Sequence, residues 1–107
     1  MLAPGSTGIN SIEEPDGLTR LPEEMVIIKP RWSAFSGTDL NRILKEFGVK
    51  NVILAGTTTP NCIRTTCYDA IANDYRTIVL ARCTSSQTEE IQQANLEDMR
   101  RAGAEII

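Results

Sequence analysis

The sequence contains no histidine. That absence removes most zinc arrangements and every Cys-His or Ser-His catalytic pair, so any nucleophilic chemistry must use another partner. Cysteine is scarce and odd in number: Cys62, Cys67 and Cys83. Three thiols cannot form a disulfide framework, and the count fits a reducing compartment. Cys62 and Cys67 are five positions apart, which on a helix places them about 140° from each other, too far round to share a metal. No apolar run approaches the length of a membrane span. The start, MLAPGSTGIN, lacks the basic flank and apolar stretch of a signal peptide, so a cytoplasmic location is expected. Basic excess is also missing. The net charge is −3 and the acids are scattered, leaving no electrostatic footprint for nucleic acid or an anionic membrane.

What remains is a chain of 107 residues with ordinary apolar (41%) and charged (23%) content, enough for one small domain. A domain of that size buries roughly 65% of the surface its unfolded chain exposes, so its core is modest. Residues 1–24 are rich in Gly, Pro, Ser and acids, with EEPDG and LPEE as turn signals. From Met25 the pattern changes. MVIIK (25–29) reads as a short buried strand, because its β-branched residues run on without alternating. A helix is expected over 38–47, with Leu40, Ile43, Leu44 and Phe47 on one apolar face and Gly48 as its stop. NVILA (51–55) reads as a second strand. A second helix is expected from Pro60 or Asn61 to about Asn73, with Ile63, Cys67, Ala70 and Ile71 as its buried stripe. TIVLA (77–81) reads as a third strand. Ser86, with Glu89 three residues on, has the form of a capping box opening a third helix to about Ala102. Gly103 ends it, and AEII is a fourth strand.

Strict alternation of strand and helix, with strands apolar on both faces, predicts an α/β fold: a parallel sheet with helices on both sides. In such folds the site lies beyond the carboxyl ends of the strands. The loops there are KPRWSAF, AGTTTPNC and ARCTSS. Cys62 follows one of them and opens a helix, where the macrodipole and free N–H groups favour negative charge on sulfur and can hold an oxyanion. It is either a nucleophile or a small buried helix residue. Lys29 either neutralises a thiolate or extends to the surface. Trp32 and Phe35 are candidate pocket residues. Cys67 and Cys83 read as packing residues, and Arg64 is expected to face solvent or an acid.

Two ordered stretches carry a resemblance. Lys29, Ser33-Ala34-Phe35 and Gly37-Thr38-Asp39-Leu40 fit a K-x-x-x-S-A-F-x-G-T-D-L pattern. Gly56, Thr59, Cys62-Ile63, Thr66, Asp69 and Ala70 fit G-x-x-T-x-x-C-[VI]-x-x-T-x-x-D-A. Together with EEIQQANLEDMRRAGAEI, they make the chain similar to the isochorismatase-like cysteine hydrolases from about Gly5 onward, and TPNCIR resembles the amidase and nicotinamidase-like branch. The resemblance implies a three-layer, Rossmann-like α/β/α domain, of which residues 1–107 form the C-terminal portion, with the N-terminal strands missing. It implies hydrolysis of a C–N bond in a small amide or ureide through an acyl-enzyme, with Cys62 as nucleophile and Lys29 as its electrostatic partner. It also implies a cis peptide at Thr57–Thr58 and an oxyanion hole made by the backbone N–H groups of Thr58 and Cys62. No cofactor is implied, and no residue here matches the family's metal ligands. The family's catalytic Asp has no counterpart either, since neither Asp16 nor Asp39 matches it. The alternative is therefore an inactive remnant serving as a subunit or binding module. A sheet without its first strands exposes edges and apolar faces, so a homo-oligomer is expected.

Overall fold

The structure is a computed structural model and describes residues 25–107. The turn signals EEPDG and LPEE, Asp16, and the start of the resemblance near Gly5 lie outside the described residues. The order of elements is α1 (Leu40–Glu46), β1 (Asn51–Thr57), a single π-helical turn (Thr59–Ile63), α2 (Arg64–Ala72), β2 (Arg76–Ser85), α3 (Glu89–Ala102) and β3 (Glu105–Ile106). The three strands form one parallel sheet in the order β1-β2-β3.

That order decides where the helices go. Parallel crossovers are right-handed as a rule, and two that step across a sheet in the same direction place both helices on the same face. The core agrees. Ile63 and Cys67 from the π turn and α2, Leu96 and Met99 from α3, and Val79 from β2 form one buried cluster, with Leu54, Ala81 and Ile106 packed against it. Each large apolar side chain buried there contributes about 1.5–3 kcal/mol, against a sizeable loss of chain entropy. The expected stripe of the second helix is the one that is used: Cys67 and Ala70 are fully buried, and Ile71 packs on the cluster.

Register fixes which strand residues face that core. Val52, Ile53 and Leu54 lie opposite Thr77, Ile78 and Val79. The pairing then slips, and Gly56 lies opposite Thr84. Four residues of β2, 80–83, therefore face Ala55 alone, and this bulge puts Cys83 at the surface. Cys83 is exposed, contrary to the expectation that it packs.

Three element assignments need correction. MVIIK is not a strand. Residues 25–29 have no secondary structure and make no backbone hydrogen bond among the described residues, and Met25, Val26 and Ile28 are exposed. An apolar β-branched run becomes a strand only beside another strand, and among the described residues none lies against this one. The first helix is shorter than 38–47 and buries no residue completely; Phe47, expected on its inner face, is 73% exposed. The third helix begins later than the Ser86 box. Thr88 is its N-cap, and its Oγ1 accepts from the Ile91 N–H at 3.2 Å. Ser86 Oγ instead donates to Gln92 Oε1 at 2.8 Å.

Candidate active site

Cys62 is placed by the turn that joins β1 to α2. The Thr57–Thr58 peptide is cis. The Thr58 carbonyl then accepts from the N–H groups of Asn61 and Ile63, each at 3.2 Å, and closes the π-helical turn around Cys62. Pro60 sits in that first turn, where its missing N–H costs no helical hydrogen bond. The neighbouring threonines have separate tasks. Thr59 is fully buried, and its Oγ1 donates to the Ser85 carbonyl at 3.1 Å, tying the turn to the end of β2. Thr58 Oγ1 accepts from Asn61 Nδ2 at 3.3 Å. Thr65 Oγ1 donates back to the Asn61 carbonyl at 2.6 Å.

Lys29 reaches the same point from 33 residues upstream. Its Nζ lies 3.4 Å from Cys62 Sγ and donates to the Arg31 carbonyl at 3.0 Å, and the residue is buried. No strand holds it there. The stretch that follows is clasped onto α2 by side chains. Ser33 Oγ donates to Asp69 Oδ2 at 2.5 Å and accepts from the Phe35 N–H at 3.1 Å. The Ala34 N–H donates to Thr66 Oγ1 at 2.9 Å. Thr38 Oγ1 donates to the Ala34 carbonyl at 2.6 Å and accepts from the Leu40 N–H at 3.2 Å. Gly37 has φ +69°, and a Cβ there would lie 2.7 Å from Pro30 Cγ, so only glycine allows the loop to fold back on that proline.

These contacts give a physical role to motif residues that had been matched without one. Cys62, Thr66 and Asp69 stand at i, i+4 and i+7, one face of α2 and the turn before it. That polar stripe runs beside the apolar stripe of Ile63, Cys67 and Ala70, and it is the surface on which the Lys29 segment docks. The spacing 62/66/69 was the signal from which Thr66 and Asp69 could have been assigned that role.

A cavity of about 490 Å³ opens beside the pair, lined by residues that include Lys29, Ala34, Leu54, Gly56, Cys62 and Thr66. Among the described residues, its lining contains one cation, one thiol and no carboxylate. The aromatic candidates lie elsewhere. Trp32, 60% exposed, lines a different cavity of about 690 Å³ with Pro30, Tyr68 and Asp69. Phe35 stacks on Tyr75 with ring centroids 5.9 Å apart and lines neither cavity. The structure thus brings Lys29 to Cys62 at the turn that Thr58 closes, and leaves Trp32 and Phe35 apart from them.

The remaining candidates are occupied in structural ways. Burial pushes the Cys67 thiol up to about 11, which keeps it protonated and inert at neutral pH. Arg64 Nη1 donates to Asn95 Oδ1 at 2.8 Å and to Asp98 Oδ2 at 3.0 Å on α3, and its guanidinium lies over the Tyr68 ring. Asp39 pairs with Arg42 at the surface, 3.3 Å away. Among the described residues no group of three or more His, Cys, Asp or Glu side chains is placed to hold a metal ion.

Comparison with known proteins points one way. The model of the Isochorismatase domain matches residues 4–107. A protein of Arabidopsis thaliana named "Probable inactive nicotinamidase" is 40% identical over 95% of this chain and 53% of its own length. The maleamate amidohydrolase of Pseudomonas putida is 40% identical over 71% of this chain and 36% of its own length. Among solved structures, an isochorismatase family protein from Desulfovibrio vulgaris superposes with a TM-score of 0.82 at 39% identity, covering 84% of this chain and 47% of that one. The chain spans about half the length, or less, of these relatives.

Proposed function

The chain belongs to the isochorismatase-like hydrolase family, whose members among its relatives are nicotinamidases and other amidohydrolases, and we propose that it carries the nucleophile side of a cysteine amidohydrolase site. The observation that carries the proposal is the 3.4 Å contact between the buried Lys29 ammonium and Cys62 Sγ at the wall of a cavity. A buried lysine within reach of a thiol can steady negative charge that develops on the sulfur and on the carbonyl oxygen it attacks.

In this reading Cys62 Sγ attacks the carbonyl carbon of a small amide or ureide. A C–S bond forms, and the carbonyl oxygen takes up negative charge, which the backbone N–H groups of Thr58 and Cys62 hold. The C–N bond then breaks, and the nitrogen leaves as a neutral amine once it has gained a proton. Water adds to the thioester, releasing the acid and restoring the Cys62 thiol. Proton delivery to the leaving nitrogen is the weak step. Among the described residues, the cavity lining offers neither a carboxylate nor an imidazole to take the thiol proton and pass it on. Acylation by a reagent with a good leaving group needs no such transfer, whereas amide turnover does.

The same observation supports a second reading, in which the chain binds or assembles without turnover. One experiment separates them. A p-nitrophenyl ester should acylate Cys62 to one equivalent, visible by intact-mass and peptide mass spectrometry. Ammonia release from nicotinamide or maleamate should be slow and should vanish in Cys62→Ala. Acylation at Cys83 in place of Cys62, or ammonia release unchanged in Cys62→Ala, refutes the nucleophile assignment. Acylation of Cys62 with no ammonia release at all favours the non-catalytic reading.

A further inference from the structure

The Lys29 ammonium takes its direction from its own loop. Nζ donates to the Arg31 carbonyl two residues on, so the charge moves with the segment that carries it. Close packing usually fixes such a segment, and here it is thin on two sides. Lys29 and Ala34 line the Cys62 cavity, whereas Pro30, Arg31, Trp32 and Ser33 line the separate cavity of about 690 Å³. Among the described residues, 29–34 make no backbone–backbone hydrogen bond. The segment is therefore a wall between two open spaces, and its seat on α2 decides where the ammonium stands.

The helix and the turn before it are divided in the same way. Cys62, Ile63 and Thr66 line the first cavity, and Thr65, Tyr68 and Asp69 line the second. One hydrogen bond fastens the wall on each side: the Ala34 N–H to Thr66 Oγ1 on the first, Ser33 Oγ to Asp69 Oδ2 on the second. Two tethers fix a tilt that one alone would leave free. The second is the stronger, because a hydrogen bond that ends on a carboxylate is roughly twice as strong as one between neutral groups. Ser33 is buried, and its single proton goes to Asp69 while its oxygen accepts from the Phe35 N–H. Asp69 itself is out of reach of the reacting sulfur. It stands at i+7 from Cys62 along the π turn and α2, an advance of about 10 Å.

We infer that Asp69, acting through Ser33, is a positioning residue for the Lys29–Cys62 pair. It sets the 3.4 Å separation of Nζ and Sγ, and with it the reactivity of Cys62, from a cavity that Cys62 does not line. The inference rests on the nucleophile reading of Cys62 and deepens it, by adding a residue that touches neither the sulfur nor a group bound beside it. A purely structural Asp69 would behave differently. Its loss would loosen the chain without regard to whether position 29 carries a charge.

The test is a double-mutant cycle on the whole chain, read by iodoacetamide labelling of Cys62 near neutral pH, with Cys67 and Cys83 as references in the same sample. Asp69→Leu keeps the bulk of the side chain and removes the acceptor. It should slow Cys62 labelling about fivefold, since an ammonium that leaves its seat loses most of its attraction at the sulfur. In the Lys29→Met chain, adding Asp69→Leu should change nothing further, because no charge is left to position. Asp69→Asn should keep the parent rate within about twofold, with its amide oxygen towards Ser33 and its N–H groups towards the open second cavity. Ser33→Ala, which removes only a hydroxyl, should repeat the Asp69→Leu result and takes its place if circular dichroism shows Asp69→Leu unfolded. The inference is overturned if Asp69→Leu slows labelling by the same factor with and without Lys29, or if the folded Asp69→Leu and Ser33→Ala chains keep the parent rate. Asp69→Asn as slow as Asp69→Leu would replace the route through Ser33 by a bare charge effect, and overturns it too. If Lys29→Met alone leaves Cys62 unchanged, the electrostatic reading of the pair fails and the inference falls with it; a slowed Lys29→Met with an additive Asp69→Leu sinks the inference alone.

Discussion

Lys29→Met is the substitution that most directly tests the site. Methionine keeps most of the length and the apolar stem and removes the charge. In the parent, the ammonium stands 3.4 Å from Cys62 Sγ. Two unit charges at that separation attract by about 5 kcal/mol at an effective dielectric of about 20. Desolvation of the buried lysine and the partial exposure of the sulfur take away much of this. A residual attraction of about 1.4 kcal/mol felt by the attacking sulfur corresponds to a tenfold change in labelling rate. The assay is iodoacetamide labelling near neutral pH, followed against time by peptide mass spectrometry. The other cysteines serve as internal references in the same tube. Cys83 is exposed and reports reagent activity, whereas Cys67 is fully buried and labels only when the chain unfolds. Labelling of Cys62 should be faster than that of Cys83 in the parent and fall about tenfold or more in Lys29→Met, with Cys83 unchanged and Cys67 still silent. An unchanged Cys62 rate in folded Lys29→Met would show that the contact has no electrostatic consequence. Equal labelling of Cys62 and Cys83 in the parent would reduce Cys62 to a packing residue.

Three further outcomes are expected. Cys67 carries a thiol raised from about 9 to about 11, so the unfolded chain loses its proton first and stability contributed by the neutral thiol is full below pH 9 and lost as pH rises towards 11; urea midpoints should fall over that window by an amount equivalent to about 2 kcal/mol, and Cys67→Ala should flatten the fall. Gly37→Ala puts a side chain at φ +69° against Pro30, which should cost about 1–3 kcal/mol in urea denaturation and slow Cys62 labelling by displacing Lys29. Thr66→Val leaves the Ala34 N–H without its acceptor, for a loss of about 1–3 kcal/mol, and should loosen the Lys29 segment while α2 keeps its helical signal.

The elements that were legible in the sequence are those whose neighbours lie among the described residues. β1, α2, β2 and α3 could be read because NVILA and TIVLA pair with each other and the stripe Ile63, Cys67, Ala70 and Ile71 has a sheet to cover. MVIIK has the same composition and failed, since a β-branched run states only that a segment is apolar and extended. Whether a ladder forms depends on a second strand that no local pattern can reveal. The start of α3 failed for a different reason. Ser85, Ser86 and Thr88 are all competent caps, and the choice falls to Thr88 because Ser86 turns to Gln92, a tertiary contact six residues away. The bulge that exposes Cys83 is a register event between two strands and has no signature within either.

The site was legible by a different route. Nothing in hydrophobic period or charge connects positions 29 and 62. Their association came from the resemblance, and the structure supplies its mechanics: the Ser33–Asp69 and Ala34–Thr66 hydrogen bonds carry Lys29 to the sulfur without any strand to hold it. That mechanical point bears on the chemistry. A Lys–Cys pair can supply a nucleophile and a neighbouring positive charge, but moving a proton to a leaving nitrogen requires a third group that exchanges protons near neutral pH, and among the described residues the cavity lining has none.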